Sequence, residues 1–130
     1  MVSNGDGHLK NYGVLYKGPD DVRLSPMFDV VTTSIYRYAR FAGGEDWVDR
    51  TMALKLFAGQ GQTRSYPNTA ELCRFGSTVC RVKAPMVVIE RIAQAMSDTL
   101  ALALKDERIP AATLGLMADV WANGMAYSRA

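Results

Sequence analysis

The second half of the chain carries hydrophobic residues at helical spacing. Over residues 85–106 they recur in steps of three and four, which places them on one side of a helix. That predicted apolar face consists of Val88, Ile89, Ile92, Ala93, Met96 and Leu100. Pro85 suits the first turn, because its missing N–H would have no helical partner there. The pattern therefore predicts a long helix whose apolar stripe packs into the core.

Two more helices are predicted on either side of this one. Asn68 can cap a helix and Glu71 follows three residues later, a combination typical of a capping box. Pro110 is expected to open a third helix. Its apolar face consists of Leu114, Met117, Val120 and Trp121. Stripes of this kind belong to a protein core more often than to a ligand-binding surface.

The first half of the chain predicts short strands and loops. Residues 11–17 are an aromatic and β-branched run, residues 18–21 are turn formers, and residues 22–25 are a second short run. Together they predict a β-hairpin. Residues 51–57 alternate only loosely and are a candidate strand, whereas residues 59–62 (GQGQ) are predicted to form a loop.

These elements predict an α+β fold that is mainly helical and contains a small β-hairpin. A length of 130 residues is enough for one domain with a modest core. We therefore expect a single domain over residues 1–130, with loops and short strands over residues 1–62 and helices over residues 63–130.

Composition and charge exclude several classes of protein. Hydrophobic residues make up 48% and charged residues 22%, which argues against global disorder. A net charge of +2 is too small to indicate binding to nucleic acid or to an anionic membrane. No apolar run reaches the roughly 20 residues that a membrane span requires. The first ten residues also lack the apolar region of a secretory signal.

The cysteines indicate a reducing compartment, and the expected location is the cytoplasm. Cys73 and Cys80 are seven residues apart, which on one helix means about 10 Å, too far for a disulfide bond. Both are interpreted as small buried side chains. A zinc site is not expected, because His8 is the only histidine and the chain has no C-x-x-C motif.

The residues with the clearest chemical pattern lie at the start of the chain. Asn4, Asp6, His8, Lys10 and Asn11 form the string N-x-D-x-H-x-K-N, directly before the predicted hairpin. Phosphoryl transfer requires a carboxylate to orient and deprotonate the acceptor hydroxyl, and hard oxygen ligands for Mg²⁺. Asp6 and Asn11 have the D-x-x-x-x-N spacing that protein kinases use for these two tasks.

A second acidic residue follows the predicted hairpin. Asp29 lies eighteen residues beyond Asn11, within the string P-M-F-D-V-V-T-T of residues 26–33. In protein kinases an Asp reached after a short hairpin completes the metal site, although the motif here is F-D-V rather than D-F-G. Asp29 is therefore the second candidate metal ligand.

The complete pattern resembles the HipA-like C-terminal kinase family. The resemblance rests on N-x-D-x-H-x-K-N, the hairpin, the P-x-[YF]-D-[VI]-V-x-T string of residues 26–33, and the apolar residues 52–56. It implies a serine/threonine protein kinase that uses ATP and Mg²⁺. It further implies that Asp6 is the catalytic base and that Asn11 and Asp29 are the Mg²⁺ ligands. His8 and Lys10 would shape the catalytic loop or contact the phosphates, which makes Lys10, Asn11 and Asp29 the expected cofactor-binding residues.

The resemblance also implies partners and a larger assembly. Proteins of this family are commonly bacterial toxins paired with a HipB-like helix-turn-helix antitoxin, and aminoacyl-tRNA synthetases are among their substrates. Such kinases place their phosphate-covering segment and their strand lysine before the catalytic Asp. Only five residues precede Asp6. The chain is therefore predicted to be a C-terminal lobe without its N-terminal ATP-binding lobe, as a natural remnant, a split gene or an excised fragment. We expect it to be inactive or nearly so alone, and it could become competent with an N-terminal lobe supplied in trans.

Each candidate residue also has a simpler interpretation. Asp6 lies between two glycines and is a plausible turn residue, and His8 is equally interpretable as a packed loop residue. Lys10 could instead pair with a neighbouring carboxylate, and Asp29 could cap a following helix. Arg37, Arg40 and Arg50 form no interpretable pattern and are expected to be solvated surface.

Two other functions remain open on the sequence alone. One is a non-catalytic interaction or oligomerisation module that binds a partner through residues 68–130. Further surface exposed for that purpose would include Met27, Phe28, Ile35 and Tyr36. The other is a metal-dependent hydrolase in which Asp6, His8 and Asp29 hold a divalent ion.

Overall fold

A computed structural model describes residues 1–39, 42–59 and 64–130, and their fold is α+β as predicted. The described residues form three α-helices and two antiparallel hairpins. The helices are α1 (Thr69–Thr78), α2 (Pro85–Ala103) and α3 (Ala111–Tyr127). The strands are β1 (Val14–Gly18), β2 (Asp21–Leu24), β3 (Tyr38–Ala39) and β4 (Asp46–Trp47). Two short 3-10 turns, Leu9–Asn11 and Thr33–Ile35, lie in the first half.

The predicted hairpin is confirmed, and a second hairpin follows it. In the first, Val14 lies opposite Leu24 and Tyr16 lies opposite Val22. The second pairs β3 with β4, and the rings of Tyr38 and Trp47 meet edge to face with their centroids 5.6 Å apart. Strands of two residues are too short to produce a period, so the sequence pattern did not predict this pair.

Residues 51–57 do not form the candidate strand. Thr51 makes an isolated bridge with Ser65, after which the backbone bends. The segment instead packs against α1, where Phe57 meets Phe75 edge to face at 5.9 Å between ring centroids. Packing against α1 outweighs the weak strand preference that the loose hydrophobic alternation of residues 51–57 indicated. Of the predicted loop at residues 59–62, residues 60–62 lie outside the described part of the chain, and so does Arg40.

Helix α1 begins as its sequence predicts. The Asn68 side chain accepts a hydrogen bond from the Glu71 backbone at 2.9 Å, and the Glu71 carboxylate accepts one from the Asn68 backbone at 3.0 Å. This confirms the capping box. The helix ends at Thr78, so Cys80 lies beyond it and is exposed, while Cys73 is half-buried. The expectation that both cysteines are buried was therefore wrong for Cys80.

Helix α2 buries a face slightly rotated from the centre of its predicted stripe. Ile89, Ala93 and Met96 are buried, in steps of four and three residues, whereas Ile92, which lies within the predicted stripe, is 46% exposed. The helix ends at Ala103 rather than at Asp106. Asp106 instead belongs to the following turn, where the Arg108 guanidinium makes two hydrogen bonds to it and holds the pKa of its carboxyl below the usual value.

A buried hydrophobic cluster joins α2, α3 and the first residues of the chain. Ala93, Met96 and Met125 form its centre, and three half-buried side chains pack around it: Met1, Val2 and Trp121. Pro110 directly precedes α3, and Leu114 on the predicted face is buried. Within the described residues, no helix combines the length and the apolarity that crossing a membrane requires.

Gly124 allows the N-terminal segment to lie against α3. A Cβ atom at this position would collide with the Met1 carbonyl oxygen and would lie 3.0 and 3.2 Å from two more Met1 backbone atoms. Gly115 is on the same helix, but a Cβ atom there would meet no neighbour within 4 Å. The two glycines therefore form a matched pair for testing this contact.

We expect Gly124→Ala and Gly115→Ala to change stability in opposite directions. Alanine favours helix by about 0.5–1 kcal/mol over glycine, so Gly115→Ala should raise the free energy of unfolding by that amount. Gly124→Ala should lower it by about 1–3 kcal/mol, because the methyl group displaces the Met1 backbone. Urea denaturation of both variants measures the difference. Equal stabilisation by both would contradict the packing of Met1 on α3.

Candidate functional site

A tight turn places Asp6 and Asn11 in one hydrogen-bonded loop. The Asn4 side-chain oxygen accepts a hydrogen bond from the Asp6 backbone at 3.1 Å. The 3-10 turn Leu9–Asn11 then brings Asn11 inward, where it is only 7% exposed. Its side-chain nitrogen donates to the Asp6 carbonyl oxygen at 3.0 Å, and the hydrogen bonds of residues 1–39, 42–59 and 64–130 include none to its side-chain oxygen. The Asp6 side chain is 68% exposed.

Thr33 fastens the start of this loop to the segment that carries Asp29. Its hydroxyl accepts a hydrogen bond from the Gly5 backbone at 2.7 Å and donates to the Ser3 carbonyl oxygen at 3.1 Å. Its backbone N–H also donates to Ser3, at 3.1 Å. We call these three hydrogen bonds the Thr33 clasp. They join parts of the chain that are about thirty positions apart, so the clasp is a tertiary contact.

Gly5 is enclosed between the clasp and residues 51–53. A Cβ atom at Gly5 would lie 2.6 Å from the Thr51 carbonyl oxygen and 3.0 Å from the Thr33 hydroxyl. On its other side the Gly5 carbonyl oxygen accepts a hydrogen bond from the Ala53 backbone at 2.6 Å. Only glycine fits this position without displacing backbone, so the requirement for a glycine directly before Asp6 is steric.

Asp29 has an unusual backbone conformation. Its φ angle is +57°, in the left-handed region that Asp and Asn tolerate better than most other residues with a Cβ. The Asn4 side-chain nitrogen donates to the Asp29 carbonyl oxygen at 3.4 Å. Asn4 therefore contacts both the Asp6 backbone and the Asp29 backbone, and it links the two loops a second time.

The structure brings Asn11 and Asp29 to one cavity. This loop cavity has a volume of about 220 Å³, and its walls include Asn4, Asn11, Phe28 and Asp29. An amide oxygen and a carboxylate are hard donors of the kind that Mg²⁺ prefers, and Asn11 and Asp29 carry one of each. The residues present therefore fit a Mg²⁺ ion with phosphate ligands. Asp6, His8 and Lys10 are not in the cavity wall.

His8 is half-buried, whereas Lys10 is exposed. The His8 Nε2 atom is 3.8 Å from an Asp6 carboxylate oxygen, and its Nδ1 atom is buried with no hydrogen-bond partner among the described residues. Lys10 is exposed, and the described part of the chain contains no ion pair to it. That argues against a structural ion pair for Lys10. Asp29 caps no helix, since the next 3-10 turn begins at Thr33 with Thr32 before it.

The hydrolase hypothesis receives no support from this arrangement. Within residues 1–39, 42–59 and 64–130, no three His, Cys, Asp or Glu side chains gather as a metal site. Asp6 and His8 approach each other, whereas Asp29 lines the loop cavity with Asn11. The three residues therefore do not meet as a set of ligands.

Sequence reasoning missed the residues that hold the loops in place. Thr33 forms the clasp, and Thr32, only 6% exposed, accepts a hydrogen bond from the Trp121 indole N–H at 2.8 Å. This bond connects the Asp29 segment to α3. The sequence did contain one signal for Thr33, because it is the final position of the P-x-[YF]-D-[VI]-V-x-T string. Nothing local marked Trp121 as more than a core residue.

Tyr66 lies behind Gly5 with its hydroxyl buried. Burial raises the pKa of Tyr66 above its usual value and the Asp49 carboxylate acts in the same direction, while the Thr33 hydroxyl opposes them. The contact with Thr33 lacks hydrogen-bond geometry, and the Tyr66 hydroxyl has no other partner among the described residues. Burial therefore dominates, and the phenol is protonated at neutral pH.

The fold and these loops define an α+β domain in which the segment of residues 4–12 and the segment of residues 27–30 line one cavity. The chain belongs to the family described as the HipA-like C-terminal domain, whose family model matches residues 1–102. This domain is part of the HipA kinase family. The match ends within α2, so α3 lies outside it. No curated protein and no solved structure matches the chain.

We expect Gly5→Ala to disrupt the loop and Gly7→Ala to leave it intact. At Gly7 the nearest neighbour of an added Cβ atom is 3.8 Å away, an ordinary contact. At Gly5 the methyl group must displace Thr51 or break the Thr33 clasp, which should lower the free energy of unfolding by about 1–3 kcal/mol. Thermal denaturation and the amide NMR shift of Thr33 measure both effects. Equal behaviour of the two variants would show that Gly5 is not confined.

Proposed function

We propose that this domain provides the catalytic-loop part of a serine/threonine protein kinase, which transfers the γ-phosphoryl group of ATP to a protein hydroxyl. The observation that carries the proposal is the shared cavity of Asn11 and Asp29, with Asp6 exposed beside it on the same hydrogen-bonded loop. Family membership supports the same chemistry.

Asp6 is the proposed general base. Its exposed carboxylate can reach a hydroxyl on a docked protein and orient the oxygen toward the γ-phosphorus. That oxygen forms the new bond to phosphorus, and the bond from phosphorus to the bridging oxygen breaks. ADP leaves with the electron pair of the broken bond, and the hydroxyl proton passes to Asp6. His8, 3.8 Å from Asp6, would help to orient the carboxylate.

Asn11 and Asp29 are the proposed Mg²⁺ ligands. The hydrogen bond from Asn11 to the Asp6 backbone keeps the Asn11 oxygen in place, so the metal-binding side chain and the base have a fixed relation. When bound, Mg²⁺ neutralises charge on the phosphates during transfer. Lys10 is exposed one residue before Asn11 and is the proposed phosphate-contacting cation.

The binding partners and the substrate of the domain are proposed from family membership. They are an N-terminal ATP-binding lobe acting with this domain, a HipB-like helix-turn-helix antitoxin, and a protein substrate of the aminoacyl-tRNA synthetase type. A cytoplasmic location is proposed on the same ground. These proposals rest on the match to the HipA-like C-terminal domain rather than on a surface of this chain.

The metal step can be tested on the chain alone with Asp29→Asn. Asparagine also tolerates a positive φ, so this variant removes the charge without straining the backbone. We expect Mn²⁺ with ATP to broaden the amide signals of Asn11 and Asp29, and we expect the variant to bind at least about tenfold more weakly. Asp20→Asn, in the exposed turn between β1 and β2, is the control and should bind as the parent does.

The transfer step is tested by adding an N-terminal lobe from a HipA-type kinase and following labelled phosphate. Asp6→Asn should then reduce transfer by about a hundredfold or more, because it removes the base. Transfer that is unchanged in Asp6→Asn, or metal binding that is unchanged in Asp29→Asn, would contradict the assignment of those residues.

A second candidate function is a non-catalytic interaction module, and an exposed apolar surface favours it. Directly paired residues of an antiparallel hairpin share one face, so Val14, Tyr16, Val22 and Leu24 lie together on one side of β1 and β2. All four are exposed, at 61, 68, 58 and 72% respectively. Such faces commonly mark interfaces. The sequence also predicted four other exposed apolar residues. Met27, Phe28 and Tyr36 are exposed, whereas Ile35 is half-buried.

Self-association through this face predicts a concentration-dependent sedimentation coefficient. The double variant Tyr16→Ser with Leu24→Ser should abolish it, because it removes two large apolar side chains from the face. Leu102→Ser, which changes a 70% exposed residue near the end of α2, is the matched control and should associate as the parent does. A parent chain that stays monomeric at every concentration would exclude self-association.

A further inference from the structure

The solvent side of α2 carries a continuous stripe of exposed residues. The buried residues Ile89, Ala93 and Met96 define the side of the helix that packs into the domain. Starting from position 87, exposed residues recur in steps of four, four, three and four, which places them along the opposite side. With one residue that borders them they form the α2 stripe, which consists of Val87, Arg91, Gln94, Ala95, Asp98 and Leu102.

The α2 stripe is complementary to itself in the antiparallel orientation. Val87 and Leu102 are its two ends, Arg91 lies four positions from one end, and Asp98 lies four positions from the other. In two antiparallel copies of one helix, residues equally far from opposite ends lie side by side. Val87 then meets Leu102 of the second copy. Arg91 likewise meets Asp98 of the second copy, and twofold symmetry forms each of these pairs twice.

The charged residues of the stripe have room for this pairing. In the part of the chain that the structure describes, the Arg91 side chain makes no hydrogen bond and no ion pair. Asp98 is seven positions away on the same helix, about 10 Å, whereas side chains of one helix meet over three or four positions. The Gln94 side chain donates to Asp98 Oδ1 at 2.8 Å, which orients the carboxylate and leaves Oδ2 for a second donor.

The two ends of the stripe supply apolar surface. Val87 is 66% exposed and Leu102 is 70% exposed. A single exposed apolar side chain is ordinary on a protein surface, but the antiparallel arrangement covers both of these at once. Ala95 lies near the middle of the contact, and its small side chain allows two helix axes to approach within the usual 8–10 Å.

We propose that the α2 stripe is the contact through which two copies of this chain form an antiparallel dimer. No residue of the stripe lines the loop cavity, so this proposal does not depend on the kinase chemistry. Each copy contributes one helix, and such a contact is smaller than the roughly 1,200–2,000 Å² of a stable interface. We therefore expect a weak dimer, with a dissociation constant of about 10 µM–1 mM.

Charge-swap variants test the antiparallel pairing by sedimentation equilibrium of the full chain, over about 10 µM–1 mM. Arg91→Asp places two carboxylates against each other at both charged contacts, and Asp98→Arg does the same with two guanidinium groups. Each variant alone should raise the dissociation constant at least about tenfold, because like charges repel. An equimolar mixture of the two variants should associate as the parent does, since every charged contact then joins opposite charges. Residues that served folding alone would not restore association on mixing.

A contact between Val87 and Leu102 gives a direct readout of the dimer. The two residues are fifteen positions apart on α2, which is about 22 Å along the helix axis. That distance is far beyond the range of a nuclear Overhauser effect, so a cross-peak between their methyl groups reports two copies in contact. We expect the cross-peak in the concentrated parent chain and its loss in Arg91→Asp.

Control variants separate this dimer from association elsewhere on the chain. Leu116→Ser changes a 51% exposed residue of α3 and should leave the dissociation constant unchanged. The double variant Tyr16→Ser with Leu24→Ser should also leave it unchanged, whereas Leu102→Ser should raise it about tenfold or more. Association through the hairpin face predicts the reverse result for these last two variants.

Three results would overturn the proposal: a parent chain that stays monomeric up to about 1 mM, a mixture of charge-swap variants that does not associate, or an association lost with the hairpin variant and kept with Leu102→Ser. A monomeric parent would leave the stripe to a different occupant. The kinase proposal is read at Asn11 and Asp29 with Mn²⁺ and ATP, and this one is read without either. Failure of one is therefore distinguishable from failure of the other.

Discussion

The hydrogen bonds of Thr33 with Ser3 and Gly5 are the contact on which the candidate site depends. They fix the beginning of the loop that carries Asp6 and Asn11 against the end of the segment that carries Asp29. Among the described residues, the other hydrogen bond between these two loops runs from the Asn4 side chain to the Asp29 carbonyl oxygen and is 3.4 Å long. The confinement of Gly5 follows from the same contact, because the clasp and Thr51 occupy the space of a side chain.

The clasp is in turn supported by the helices. Thr32 accepts the indole N–H of Trp121, and Trp121 packs with Met1 and Val2 on the buried cluster of α2 and α3. The buried cluster is small, so these connections matter more than they would in a large core. The helical half thus positions the loops without supplying a chemical group to the loop cavity.

The sequence by itself determined the elements whose signals are local: the first hairpin, the capping box of Asn68, the helix after Pro85 and the string around Asp6. Each of these depends on neighbours within a few positions, so a short pattern suffices. The tertiary structure alone decided that Ile92 stays exposed and that residues 51–57 pack on α1. The clasp spans about thirty positions and the Thr32–Trp121 bond spans 89. No local pattern encodes such contacts, because they arise only when distant segments are brought together by packing.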